Sequence, residues 1–258
     1  MISRLLFISV CLLIVISCNT KKDSGTTGVD VAKEYYSDGT LKTETESVNA
    51  KANGLSKNYN KDGVLESVYT FKDGTRQGPA LEYYPSGQLK QKMYYNDGKR
   101  DGITIWYYKS GKVFRETPYI SGKTEGVVKS YYEDGKIMSE APYLDGYPSA
   151  DLKEYNKNGN LIKDDTRIVV KEMNSKPIQG KIMLELSLSE SHPGTVFYSG
   201  SLTQGKYLNK DLSPIQTENG QARFAYFVAS PEPVHFSAIY QTDNSSYRVI
   251  TRIYRHKK

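Results

Sequence analysis

Residues 81–102 read LEYYPSGQLKQKMYYNDGKRDG, with two Tyr-Tyr pairs, a Ser-Gly and an Asp-Gly in close succession. Counting outward from Gly87 finds Gly39, Gly63, Gly87, Gly111, Gly135 and Gly159, a constant interval of 24. A second series runs Gly54, Gly78, Gly102 and Gly126, and a third Gly74, Gly98, Gly122 and Gly146. Side chains keep the same period. Four residues before each first-series glycine stands a tyrosine: Tyr35, Tyr59, Tyr83, Tyr107, Tyr131 and Tyr155. Two residues after it stands an aliphatic: Leu41, Leu65, Leu89, Val113, Ile137 and Leu161. Phe71, Tyr95, Tyr119 and Tyr143 recur later in each unit. A fixed period of this length marks a repeat architecture whose units stack on their neighbours.

Each unit reads as two short strands. Leu81 and Tyr83 alternate with Glu82 and Tyr84, and glycine then turns the chain where positive φ is needed. Leu89, Gln91, Met93 and Tyr95 follow on one face, opposite Lys90, Lys92 and Tyr94. The stretch NDGKRDG carries glycines of the other two series and leads into the next hairpin. The expected fold is all-β: an elongated antiparallel meander of about six hairpin repeats over residues 31–165, the Tyr and Leu ladders sharing a face. Twelve strands spaced about 4.8 Å apart make a twisted ribbon on the order of 50 Å long.

The stretches YYPSGQLKQKMYYNDGKRDG, YYKSGKVFRETPYISGKTEG and YYEDGKIMSEAPYLDG resemble the MORN family, in particular a bacterial variant often labelled antitoxin-like. The resemblance covers about residues 31–162. Its first and last units depart from the pattern: LKTETESVNAKANG lacks the late aromatic, and YNKNGNLIKDD stops early, as caps do. What the resemblance implies is an interaction or membrane-associated scaffold rather than an enzyme, with an antitoxin or immunity role as a further reading.

The period ends after LIKDDT. Alternation then appears in Ile182, Leu184, Leu186 and Leu188, in Ala222, Phe224, Tyr226 and Val228, and in Val234, Phe236, Ala238 and Tyr240. With RIVVKEM, TVFYSG and YRVITRIY, this makes six or seven strands in residues 166–258, a small β-sandwich of immunoglobulin or fibronectin-like build. The period stops where the new alternation starts, so two units are expected, with limited proteolysis cutting first in the tether or near KDDTR.

The chain opens MISRLLFISVCLLIVISC, one Arg before an apolar run too short to span a bilayer comfortably. Val15-Ile16-Ser17-Cys18 resembles a bacterial lipobox. The resemblance implies a signal peptide over residues 1–17 and a lipidated Cys18. A polar tether, about residues 18–30, follows, spanning on the order of 20 Å. Acyl chains contribute about 0.8 kcal/mol per buried CH₂, so several give firm anchoring. Asn19 is not the aspartate that retains lipoproteins in the inner membrane in that class. The expected address is therefore the bacterial cell envelope, at the outer membrane. With Cys11 lost in the leader and Cys18 lipidated, the folded part has no disulfide.

Net charge is +6, spread along the chain with a small basic cluster, RIYRHKK, at its end. Lacking a longer basic run or an aromatic RNA-binding signature, it does not read as a nucleic-acid binder. His192, His235 and His256 are not spaced as metal ligands, and no nucleophile elbow, P-loop or dinucleotide fingerprint occurs. No enzyme, cofactor or metal is expected. Glu116 and Glu140, one period apart, are a carboxylate pair of the kind that does acid–base work, and as exposed ribbon residues they read as solvated. The candidate binding residues are the second tyrosines, Tyr36, Tyr84, Tyr108 and Tyr132, with Trp106. They form an aromatic row opposite the Tyr–Leu ladder. Such a row stacks on sugar rings or grips a peptide, or it is cross-strand pairing that steadies a thin sheet. The expected partner is an envelope protein, with a glycan as the alternative.

Overall fold

The computed structural model describes residues 23–24, 28–174, 176–230 and 232–256. The leader, Cys18 and most of the tether lie outside the described residues. Among those described, no helix is long and apolar enough to cross a membrane.

The repeat region builds ten main strands: β1 (Asp30–Tyr35), β2 (Leu41–Val48), β3 (Lys51–Tyr59), β4 (Leu65–Lys72), β5 (Thr75–Tyr83), β6 (Leu89–Asn96), β7 (Gly102–Tyr107), β8 (Val113–Ile120), β9 (Gly126–Tyr131) and β10 (Ile137–Leu144). They join in chain order, each antiparallel to the next, in a sheet of 15 strands whose other members are two residues long. Two kinds of corner alternate. At the first, Gly87 takes φ 87°, Tyr84 N donates to Gln88 O (2.8 Å), and Gly87 N donates to Tyr84 O (2.8 Å). At the second, Asp97 (φ 46°) and Gly98 (φ 75°) are both left-handed, the signature of a two-residue type I′ hairpin whose twist suits the flanking strands.

The expected ladder is in register: Tyr35 faces Leu41, Tyr59 Leu65, Tyr83 Leu89, Tyr107 Val113, Tyr131 Ile137 and Tyr155 Leu161. It is not, however, the best-buried part of the sheet. Tyr35, Ile137 and Leu161 are exposed, whereas Ala80, Gln91, Met93, Thr104, Ser130 and Ser139 are almost wholly covered. These line the inner face, which by alternation also carries Leu89 and Tyr95. Tyr83 alternates with them, and each Tyr–aliphatic pair of the main strands sits where the register slips by a residue. On the inner face Arg76 lies over the Tyr69 and Tyr95 rings (4.2 and 5.5 Å), and Arg100 reaches Tyr119 and Met93 Sδ. Long Arg and Tyr side chains thus roof short neighbours in the central units, covering the single-layer sheet there without a second layer.

The C-terminal region adds β11 (Ile168–Glu172), β12 (Lys181–Leu188), β13 (Val196–Ser199), β14 (Ser213–Ile215), β15 (Thr217–Glu218), β16 (Gln221–Phe227), β17 (Val234–Gln241) and β18 (Tyr247–Tyr254). They form two four-stranded sheets, β11-β12-β16-β15 and β14-β13-β17-β18, the strand order of an immunoglobulin-type sandwich with one added edge strand. Leu184, Leu186 and Tyr226 of one sheet meet Phe197, Phe236 and Ala238 of the other in a dry core. Alternation named β12, β16 and β17, and the stretches RIVVKEM, TVFYSG and YRVITRIY named β11, β13 and β18. They missed β14 and β15, whose three and two residues are too few to alternate.

The stretch between the last repeat unit and the sandwich, together with that unit, carries contacts to β17, β18 and the loop between them. Arg248 of β18 hydrogen-bonds Glu154 of the last repeat unit (2.8 Å) and makes an ion pair, though no hydrogen bond, from Nε to Asp164 of the joint (2.9 Å). Tyr240 donates to Asp164 (2.6 Å), and Thr242 donates to Glu154 (2.6 Å). Backbone bonds Ala150 N→Lys206 O (2.8 Å) and Leu208 N→Pro148 O (3.1 Å) continue the ribbon's edge into the sandwich. Beside them Leu208, Leu212 and Val249 bury against Tyr147 and Ala150.

Candidate functional site: the two faces of the ribbon

The second tyrosines prove to be rungs between units. Tyr36, Tyr84, Tyr108 and Tyr132 donate their hydroxyls to the carbonyls of Tyr59, Tyr107, Tyr131 and Tyr155, at 2.8, 2.7, 2.7 and 2.7 Å. Each acceptor is the ladder tyrosine of the next unit. The row expected to be exposed is half-buried instead, because satisfying these hydroxyls draws each ring toward the next unit. The first-series glycines close the same corners, with Gly39, Gly63, Gly87, Gly111, Gly135 and Gly159 all at positive φ.

Glu116 and Glu140 serve a similar end. Tyr131 donates to Glu116 (2.8 Å) and Tyr155 to Glu140 (3.2 Å), so each carboxylate is tied to a ladder tyrosine of its neighbouring unit. Burial and then the Glu116 bond push the Tyr131 hydroxyl up to about 12. Among the described residues no group of three or more His, Cys, Asp or Glu is arranged to hold a metal ion. His192 stacks on Tyr240 (4.0 Å) and bonds Thr166 (3.2 Å), and His256 lies 3.0 Å from Glu172. His235 sits within β17.

Trp106 is the site residue whose surroundings are richest. Across the strands it faces Gln91 and Arg115. With Phe114, Arg115, Thr117, Tyr119 and Tyr143 it lines a bay of about 320 Å³ on the inner face. Phe114 also meets Tyr108 edge to face (5.1 Å), which links the bay to the tyrosine row. Arg115 donates from Nε to Ser130 Oγ (3.0 Å) and toward Ser245 O of the sandwich (3.4 Å). Ser246 donates to Ser139 (3.0 Å) beside it. The β17–β18 loop therefore covers the inner face next to this bay. The period already displayed Tyr119 and Tyr143. Their convergence with Arg115 depends on strand register, which spacing alone does not supply.

The opposite, outer face carries a second periodic feature. Leu55, Ile103 and Val127 stand one or two periods apart and are 39, 52 and 41% exposed. Pro79 completes the series. Its cross-strand partner Tyr94 is also exposed, and Ile103 and Val127 face Pro118 and Pro142. An apolar row thus runs across four successive units, with Lys57, Lys92 and Lys129 two positions farther along the strands or beside them.

A family model described as MORN repeat variant matches residues 52–73, 76–97, 100–121 and 124–145, four consecutive units in the same frame as the hairpins. The match is shorter than the span 31–162, and the units it leaves out are the two whose late aromatic or second strand is missing. A comparison with curated proteins finds no match. The central units are therefore MORN-variant repeats, a class of repeat-based binding module that is generally not enzymatic.

Proposed function

We propose that this chain is a lipid-anchored protein of the bacterial cell envelope, held at the outer membrane through Cys18. In this reading its ribbon is a non-catalytic scaffold for another envelope protein. The observation that carries the scaffold reading is the exposed apolar row Leu55, Ile103 and Val127 with Tyr94. Exposed apolar residues are ordinary singly, but a row aligned by a repeat period is a continuous contact surface. The lipobox-like VISC and the polar tether that follows support the anchor.

One set of strains tests both parts. A photo-crosslinking residue at Ile103 is expected to capture a single envelope protein in intact cells. Capture should be lost when Leu55 and Val127 are both changed to Asp. Cys18→Ser should release the protein from membranes or leave its leader uncleaved. Unchanged capture in the Asp variant contradicts the scaffold face, and wild-type fractionation of Cys18→Ser contradicts the anchor.

A further inference from the structure

We propose that the bay beside Trp106 binds a sugar ring carrying a carboxylate. This stands on the geometry of the inner face and does not depend on the anchor or on the outer-face row.

Three features of the bay point to that ligand. Its wall includes the aromatic side chains of Trp106, Phe114, Tyr119 and Tyr143, the kind of surface on which the C–H face of a sugar ring packs, and Arg100 lies over the Tyr119 ring (5.5 Å). Its charge comes from Arg115, and no carboxylate stands among the lining residues. Two of the five Arg115 N–H groups are used, on Ser130 and Ser245, which leaves a guanidinium edge for an anion. The third feature is unspent hydrogen-bonding capacity. The hydroxyls of Thr117, Thr124 and Tyr143 line the bay, and none bonds another group among the described residues. Three hydroxyls beside one guanidinium match a polyhydroxylated ring with one negative charge better than a purely aromatic anion.

The bay's limits exclude a long occupant. Toward the preceding units, Arg100 bonds Tyr119 and Met93 Sδ, and Arg76 stacks on Tyr69 and Tyr95, so the inner face is filled by its own side chains. Toward the following unit, the loop bearing Ser245 and Ser246 closes on Arg115 and Ser139. An extended peptide has no through path between these two stops. At about 320 Å³ the space lies at the low end of small-ligand pockets, which run from about 300 Å³ upward.

Trp106 is the chain's only tryptophan, so its fluorescence reports on this bay alone. Full-length protein is titrated with glucuronic acid, glucose and benzoate. Glucuronic acid is expected to give a saturable change, with glucose and benzoate each about tenfold weaker or more, since each lacks one half of the recognition. Arg115→Lys keeps the charge but loses the planar fork, and should weaken glucuronic acid binding by about tenfold in protein that remains folded. Tyr143→Phe, which leaves the packing intact, should weaken it several-fold. The proposal is overturned by an unsaturable response to glucuronic acid. It is equally overturned by benzoate binding as tightly, or by both variants binding like wild type.

Discussion

At Gly87 the backbone is left-handed, with φ 87°, and a Cβ added there meets nothing within 4 Å. A substitution at this corner is therefore strained by its own backbone rather than by crowding. Gly87→Val should cost about 1–2 kcal/mol, and Gly87→Asn clearly less, because Asn tolerates the left-handed region. Urea melts of the two variants decide it, and equal losses would mean that the space, not φ, sets the requirement. The second tyrosines make a separate prediction. Tyr84→Phe and Tyr108→Phe each lose a hydroxyl-to-carbonyl bond of 2.7 Å. Each should destabilise by about 0.5–1.5 kcal/mol. Crosslinking from Ile103 should be unaffected, because these hydroxyls hold units together. A lost crosslink at unchanged stability would restore the row as a contact surface. The tyrosines were legible in the sequence as periodic. Their partners were not, since a carbonyl 23 residues away has no sequence signature.

The hairpin is the element that repeats, and it was the most legible level of the chain. Spaced glycines mark both corners, and the alternation of residues 89–95 marks the strand between them. Burial was less legible. Large Tyr and Leu side chains draw the eye, yet the best-covered positions include Ala80, Thr104 and Ser130 beneath longer neighbours and Ser139 beneath the Ser246 loop. Composition hides that arrangement because polar residues do the covering. The two-strand unit makes a direct prediction about deletions. Removing residues 103–126 takes out one whole period and should leave a shorter folded ribbon. Removing twelve residues instead takes out one strand and reverses the direction of everything beyond, so the product should misfold. Circular dichroism melts compare the two. A 12-residue deletion that melts like the 24-residue one contradicts the unit.

At the scale of the whole molecule, the ribbon and the sandwich share a charged clamp. Sequence reading located the change of pattern near residue 165 but not the clamp, whose members Glu154, Asp164, Tyr240 and Arg248 are up to 94 residues apart. Burial opposes ionisation of Asp164. Hydrogen bonds from Thr166 and Tyr240 and the Arg248 charge outweigh it and hold the carboxyl below its usual range. A lowered folded-state value stabilises above the unfolded value of about 3.9, and that contribution fades as pH falls through the folded value. Wild type should therefore lose stability below about pH 4 more steeply than Asp164→Asn, in melting curves taken from pH 6 to pH 3. Parallel curves would remove Asp164 from the clamp.

Arg248 is the clamp's centre, with 12% of its side chain exposed and a carboxylate on each side. Arg248→Met leaves both carboxylates without their cation, at an expected cost of about 3 kcal/mol or more. The claim that ribbon and sandwich work as one clamped scaffold is tested most directly by native-state hydrogen exchange, followed by mass spectrometry. Peptides from residues 126–144 of the ribbon and 234–254 of the sandwich are compared at neutral pH. In wild type both should open with the same free energy, and in Arg248→Met the two should separate. Independent opening of the two regions in wild type would contradict the account.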